Sequence, residues 1–359
     1  MIPGLGDRAL RQLLNICPEP EKVFEMSHSQ LSDLFGKHQS IISAIEQKAM
    51  MRQAEDEYAK TQQAGIRILF CTQPEYPQRL NDSDCVDTPL LLYCAGSCDL
   101  NAKHTVAFVG SRKSTQYGRA ATHQLVEGLK GGQPLIASGL AYGIDTEAHA
   151  AALESGLPTA AVLGHGLDII YPYQNQGLAR RIVEKGGALL TEYRIGTRIN
   201  PAYFPARNRI IAALSDATVV VEAAERSGAI ITAGIANSYR REVFAVPGRL
   251  DDPTSGGCLN LIAEHKALLA RNAGDIFFQM GWKNTFDPAR QREEKLSLFA
   301  EISDEEKRLV TLLEKERELT LDELSLKSGF PLPKTAAIVM NLELKTIIVA
   351  LPGRLYKLT

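Results

Sequence analysis

Residues 105–145 read TVAFVGSRKSTQYGRAATHQLVEGLKGGQPLIASGLAYGID. Five apolar or β-prone residues, Thr105 to Val109, end in Gly110, and a polar loop follows. A helical pattern then leads to a second short apolar run, Leu135 to Ala137, closed by Ser138-Gly139. Strand, loop, helix and strand at this spacing make a βαβ unit. Both loops beyond the strands carry glycine, serine and a charged residue, so a ligand is expected at the strand C-termini.

The same alternation continues in both directions. Strands are expected at 105–109, 135–137, 159–163, 188–191, 217–221 and 243–246. Helices are expected at Gly118–Lys130, Ile144–Glu154, Gly177–Lys185, Pro205–Leu214 and Ala229–Arg240, and a helix–strand pair, Cys258–Glu264 and Ala267–Ala270, closes the block. The strands are near-continuous apolar runs, as when helices cover both faces of a parallel sheet. The fold class is α/β, a doubly wound parallel sheet. Upstream, Ile66, Ile68 and Phe70 alternate as a strand, and Leu90 to Tyr93 form another. That segment is too small to fold alone and should pack on the block, giving a domain at 61–282.

Residues 1–60 read as a small helical domain. Its opening IPGLGDRALRQLL resembles a helix-hairpin-helix turn, in which glycines let backbone N–H groups approach a phosphate. Such a turn also serves as a plain N-cap, and the block's 7 Lys/Arg against 9 Asp/Glu favour that reading. Leu31 to Met51 continue as amphipathic helix broken at Gly36. Residues 283–300 lose periodicity and gain charge, as a linker does. Residues 301–359 carry caps at Ser303 and Thr320, three helices (the third at Pro333–Glu343), and a hairpin of Ile347–Ala350 and Arg354–Leu358 around Pro352-Gly353, the order of a winged helix. Its third helix is not basic, so protein docking suits it at least as well as DNA.

Composition is that of a globular protein, with 45% hydrophobic and 23% charged residues. No apolar run approaches the roughly 20 residues that span a bilayer, and no secretory signal pattern opens the chain, so a cytoplasmic location is expected. The six cysteines, at 17, 71, 85, 94, 98 and 258, form no zinc set and read as free thiols. Net charge is −2, yet residues 101–282 hold 18 Lys/Arg against 15 Asp/Glu. Coating of bulk DNA is therefore disfavoured, and a local basic groove is compatible.

The loops at the strand ends carry the chemistry. They are Gly110-Ser111-Arg112-Lys113, Ser138-Gly139 running to Asp145 with His149 beyond, Gly164-His165-Gly166 running to Tyr171-Pro172, Phe204-Pro205-Ala206-Arg207-Asn208-Arg209, Glu222 to Gly228, and Pro247-Gly248-Arg249. Glycines admit a ligand to the backbone, serines and helix N-termini bind anions, and the arginines add fixed charge. An anionic, phosphate-bearing ligand follows. The dinucleotide spacing G-x-G-x-x-G, a Walker A motif and a G-x-S-x-G elbow are all absent, so no cofactor is expected. Asp145, Asp168, His149 and Glu222 each have a capping or packing role open beside an acid–base one. Phe204 beside the arginines suits stacking of unpaired bases, worth roughly 1–3 kcal/mol per base.

GSR after the first strand, then SGLAYGIDTEAH, LGHGLDIIYP, FPARNRII, DATVVVEAAERSGAIITA and REVFAVPG, in this order, resemble the DNA-processing protein A family (DprA, also called Smf). The likeness covers about residues 74–282. It implies a Rossmann-like sheet and a binding protein that is not an enzyme. It also implies protection of incoming single-stranded DNA in natural transformation, loading of the RecA recombinase, and homodimers through the Rossmann-like domain. The N-terminal module resembles the family's SAM or helix-hairpin-helix appendage and the C-terminal one its winged helix. The family's GSR arginine corresponds to Arg112, and its basic-aromatic pocket to Phe204, Arg207, Asn208 and Arg209. The expected DNA-binding set is Gly110, Ser111, Arg112, Lys113, Ser138, Gly139, Gly164, Gly166, Phe204, Arg207, Asn208, Arg209, Ser227 and Gly228. Where some members have a lysine after the Tyr-Pro, this chain has Tyr173-Gln174, which shifts that contact to Arg180 or Arg181. Dimer contacts are expected within Gly257–Gly281. The competing reading is a nucleotide enzyme or sensor cleaving an N-glycosidic bond with Glu222 or Asp145.

Overall fold

The computed structural model describes residues 4–17, 19–36, 38–48, 50–283, 303–316, 318–344, 347–351 and 355–358. The chain forms two compact units, Met1–Phe286 and Asp287–Thr359.

In the first unit, helices α1 (Asp7–Ile16), α2 (Pro20–Val23), α3 (His28–Phe35) and α4 (Gln39–Glu46) enclose a small core of Leu13, Leu31, Ile42 and Ile45. A capping box of Ser27 and Gln30 starts α3. Helix α5 (Met51–Gln63) crosses the boundary expected at residue 60 and leads into the sheet. Arg11 of α1 ties these helices down: its Nη2 donates to Thr88 Oγ1 at 2.6 Å and to the Leu80 carbonyl at 3.1 Å.

The sheet has strands β1 (Arg67–Phe70), β2 (Leu91–Gly96), β3 (Thr105–Val109), β4 (Leu135–Ser138), β5 (Thr159–Val162), β6 (Ala188–Thr191), β7 (Ala217–Val220), β8 (Glu242–Ala245) and β9 (Leu268–Leu269). Their order is β1-β2-β6-β5-β4-β3-β7-β8-β9. From β6 to β9 every pairing is parallel. Strands β1 and β2 extend it antiparallel, with Tyr93 opposite Thr191.

Helices α6 (Gln116–Gly128), α7 (Ile144–Glu154), α8 (Gln176–Glu184), α9 (Tyr203–Leu214), α10 (Gly228–Ser238), α11 (Gly256–Ala263) and α12 (Ala273–Gln279) flank the sheet. All five residues of β3 are buried. Alternate residues enter opposite cores: Ala107 and Val109 pack with Ile210 of α9 and Ala233 of α10, while Val106 and Phe108 pack with Val126 of α6 and Ala148 of α7. The doubly wound sheet expected from the sequence is present.

In the second unit, α13 (Asp304–Glu316), β10 (Leu319–Thr320), α14 (Leu321–Ser328), α15 (Leu332–Leu344), β11 (Ile348–Leu351) and β12 (Leu355–Leu358) form a winged helix around Leu309, Leu313, Leu324 and Leu342. Strand β12 lies between β10 and β11. Both expected caps form: the Glu306 N–H donates to Ser303 Oγ at 3.3 Å, and the Glu323 N–H to Thr320 Oγ1 at 3.2 Å. Three lysines of this unit are paired, Lys307 with Asp304, Lys327 with Glu316 and Lys334 with Glu305. The expected linker from 284 onward and the turn at Pro352-Gly353 lie outside the described residues.

Candidate functional site

The chain runs from β3 outward to β4, β5 and β6, then returns to place β7 on the other side of β3. The loops leaving β3 and β7 therefore diverge, and a crevice opens at the strand C-termini between them. A cavity of about 380 Å³ occupies it. Gly110, Ser111 and Arg112 come from the β3 loop, and Ala224, Ser227 and Gly228 from the β7 loop. Phe204, Pro205, Arg207 and Asn208 come from α9, and Ala141 and Asp145 from the segment after β4.

The cation at the mouth is Arg112. It is exposed, its guanidinium carbon lies 5.8 Å from the Phe204 ring centroid, and it has no carboxylate partner among the described residues. Its loop is held by Glu222, a buried residue. The Glu222 carbonyl accepts the Ser111 N–H at 2.7 Å, one carboxylate oxygen accepts the Thr115 N–H at 2.9 Å, and the other accepts the Thr115 hydroxyl. Thr115 in turn caps α6 through the Gly118 N–H at 3.1 Å. Both oxygens of Glu222 thus organise the loop, and Glu222 does not line the cavity. The opposite wall is the N-terminus of α10. Its N-cap, Ser227, makes no side-chain cap bond, and the Ser227 Oγ has no partner among the described residues. Free N–H groups and a positive helix end there favour an anion.

Arg207, expected in a basic-aromatic pocket, lines the cavity from below. It is 3% exposed and forms the cavity floor, where its Nη1 donates to the Val162 carbonyl at 2.6 Å. Burial pushes its pKa down to about 10, opposed by the Asp145 carboxylate and assisted by Arg112. Burial likewise raises the pKa of Asp145, opposed by Arg207 and by N–H groups of Ala141 and Gly139. Asp145 Oδ2 accepts those two N–H bonds at 3.3 and 3.1 Å, so this carboxylate shapes the β4 loop. A side chain at Gly139 would collide with the Arg207 guanidinium, so this glycine admits a protein group instead of a ligand. His149 is fully buried, with Nδ1 2.7 Å from Thr159 Oγ1. The Thr159 hydroxyl donates to the Ile136 carbonyl, which leaves the His149 Nδ1 as donor. Burial, with Arg207 nearby, pushes its pKa down to about 3.

The structure separates other expected residues from the cavity. Arg209 points to the N-terminal helices, 2.5 Å from Glu192 and 3.6 Å from Asp7. Ser138 is buried and donates to the Phe108 carbonyl at 2.7 Å. Gly164 packs on Tyr203 and Phe204, and Gly166 on Asp168 and Arg194. Lys113 is exposed beyond the rim, its N–H donating to Ser111 Oγ at 3.1 Å. Arg180 is paired with Glu184 at 2.7 Å, while Arg181 is exposed. Ile211, Ile231, Thr232 and Thr254, which the sequence reading did not single out, also line the cavity. One signal was available: Phe204, Arg207, Asn208 and Ile211 stand at i, i+3, i+4 and i+7, one helix face, and Arg209 lies off it.

Among the described residues, no cluster of His, Cys, Asp and Glu could hold a metal ion, and no helix is long and apolar enough to cross a membrane. The six cysteines are free.

Comparison with known proteins gives this arrangement its context. Residues 67–281 match the DNA recombination-mediator protein A family, and residues 288–354 match the DprA winged helix domain. The Escherichia coli protein Smf is 36% identical over 306 residues, which is 81% of this chain and 77% of that protein. A Synechocystis Smf protein is 42% identical over 205 residues, and the chain spans about half, 51%, of its length. The crystal structure of DNA processing protein A from Streptococcus pneumoniae superposes with a TM-score of 0.67 at 34% identity, covering 76% of this chain and 93% of that one. A Helicobacter pylori DNA processing protein A, solved for its single-stranded DNA binding mode, superposes with a TM-score of 0.53 at 30% identity, covering 60% and 95%. With the family matched across the whole of the central sheet, the chain belongs to the DNA recombination-mediator protein A family.

Proposed function

We propose that this protein binds single-stranded DNA, without sequence preference, in the crevice between β3 and β7. The observation that carries the reading is the exposed Arg112 guanidinium, without an ion-pair partner among the described residues, set against the Phe204 ring at the mouth of a cavity whose far wall is a helix N-terminus with no side-chain cap there. A fixed cation and N–H groups suit phosphates, and a ring beside them suits an unstacked base. Gly110, Ser111, Asn208, Ser227 and Gly228 complete that contact surface, with Lys113 at its edge. A duplex hides the base faces this geometry would use.

In the cell the bound strand would be handed to the RecA recombinase, protecting incoming DNA in natural transformation. Family membership and the Helicobacter relative's single-stranded DNA support this role. The protein would act in the cytoplasm as a homodimer. The exposed Leu268, Leu269 and Phe278, by the free edge of β9, support a dimer contact there. Fluorescence anisotropy with oligo(dT) and with a duplex of equal length tests the reading. Tight, salt-sensitive binding of the single strand and weak binding of the duplex are expected; equal affinity for both contradicts it.

A further inference from the structure

Three tyrosines by the cavity mouth stand outside everything assigned so far. Tyr142, Tyr171 and Tyr173 are 41, 45 and 74% exposed. They come from the segments after β4 and β5, on the side of β3 away from β7. The Tyr171 ring lies 5.5 Å from the Phe204 ring, tilted by 38°, so Phe204 touches both Tyr171 and Arg112. The Tyr142 hydroxyl bonds Gln174 Oε1, joining the segment after β4 to the one carrying Tyr173. Next to Tyr142, Gly143 passes so close to the Ser111–Arg112 backbone that a side chain would not fit. The three rings are therefore carried on one connected rim.

The rim is also held in place. The Tyr171 N–H donates to Nε2 of His165, a residue 1% exposed, at 3.3 Å. The His165 Nδ1 lies 3.0 Å from the Gly166 carbonyl, which can only accept, so Nδ1 carries the proton and Nε2 is the acceptor. A backbone held before binding leaves less freedom to lose when a base stacks on the ring it carries.

We propose that Tyr142, Tyr171 and Tyr173 form a base-stacking rim that carries a single strand out of the cavity on the β5 side. This rests on the single-stranded DNA reading and deepens it: the footprint is longer than the cavity, and the exit has a direction. Every base presents a π-face, so the rim adds affinity without sequence preference.

Anisotropy with oligo(dT) of about 5 and about 15 nucleotides, both within the range of known site sizes, separates rim from cavity. Tyr173→Leu and Tyr171→Leu should each weaken the longer strand about fivefold or more, leave the shorter one unchanged, and leave the salt slope as in the parent. Tyr173→Phe and Tyr171→Phe, which keep the ring, should bind as the parent does. Tyr173 has no side-chain partner among the described hydrogen bonds, so an unchanged melting temperature is expected for its variants. Parent-like binding of the longer strand by both leucine variants would overturn the rim, as would an equal loss for both lengths. Failure of the parent to bind either strand would overturn the DNA reading itself.

Discussion

The guanidinium of Arg112 and the ring of Phe204 face each other at 5.8 Å, one from the loop after β3 and the other from the start of α9. The pair links a charge that sequence cannot read to a surface that any base can use. Phe204→Leu should keep the charge and lose the ring, weakening single-strand binding by about 1–3 kcal/mol with an unchanged salt slope. Phe204→Tyr should retain most of the affinity. Anisotropy at several salt concentrations measures both.

Arg207 and Arg209 sit two residues apart and serve different surfaces. Arg207→Ala leaves Asp145 buried without its cation and should cost about 3–5 kcal/mol of stability. The sign of its pH dependence follows from Asp145, whose folded pKa is already raised by burial. Protonation of such a carboxyl favours the fold, so the stability it contributes is present at low pH and lost as pH rises. The destabilisation of Arg207→Ala should therefore shrink as pH falls, as denaturant titrations at pH 5 and pH 8 would register.

Arg209, clasped by Glu192 and Asp7, should matter to the seating of α1 and not to phosphates. Arg209→Gln should increase proteolytic cleavage around residues 50–66 while leaving the slope of log affinity against log salt as in the parent. A slope reduced by about 0.7 would instead make it a phosphate ligand.

His149 adds a pH dependence of opposite direction. Its folded pKa is pushed down to about 3 from an ordinary 6.5, so its stabilising effect is complete above pH 6.5 and is lost as pH falls toward 3. The slope approaches 1.4 kcal/mol per pH unit in that window. His149→Gln should flatten this part of the stability profile, whatever it does to stability at neutral pH.

The single tryptophan gives an internal probe. The Trp282 ring stacks on His104 with centroids 4.1 Å apart, and burial lowers the pKa of His104. An imidazolium against an indole quenches its emission. Fluorescence should therefore fall as pH drops below the ordinary histidine value, the direction in which burial moves His104, and His104→Gln should remove that transition.

Much of the fold was legible because strands such as β3 are buried on both faces and so read as unbroken apolar runs. Helix α7 begins and ends where its pattern does, at Ile144 and Glu154. The order of loops around the sheet gave the crevice. Side-chain depth was not legible in the same way. Arg207 reads as a basic surface residue until Gly139, Val162 and Asp145 are seen to converge on it, and these are distant in sequence. That Arg209 lies off the cavity face follows from helical spacing alone. Helix α5 continues past residue 60 because it runs polar up to the first strand, with no change of composition there to mark its end.

The salt dependence of oligo(dT) binding by Arg112→Ala, compared with the parent, reads the Arg112 phosphate contact itself. If Arg112 holds a phosphate at the mouth of the β3–β7 crevice, affinity should fall and the slope of log affinity against log salt should decrease in magnitude by about 0.7. An affinity and a slope both equal to the parent's would contradict it.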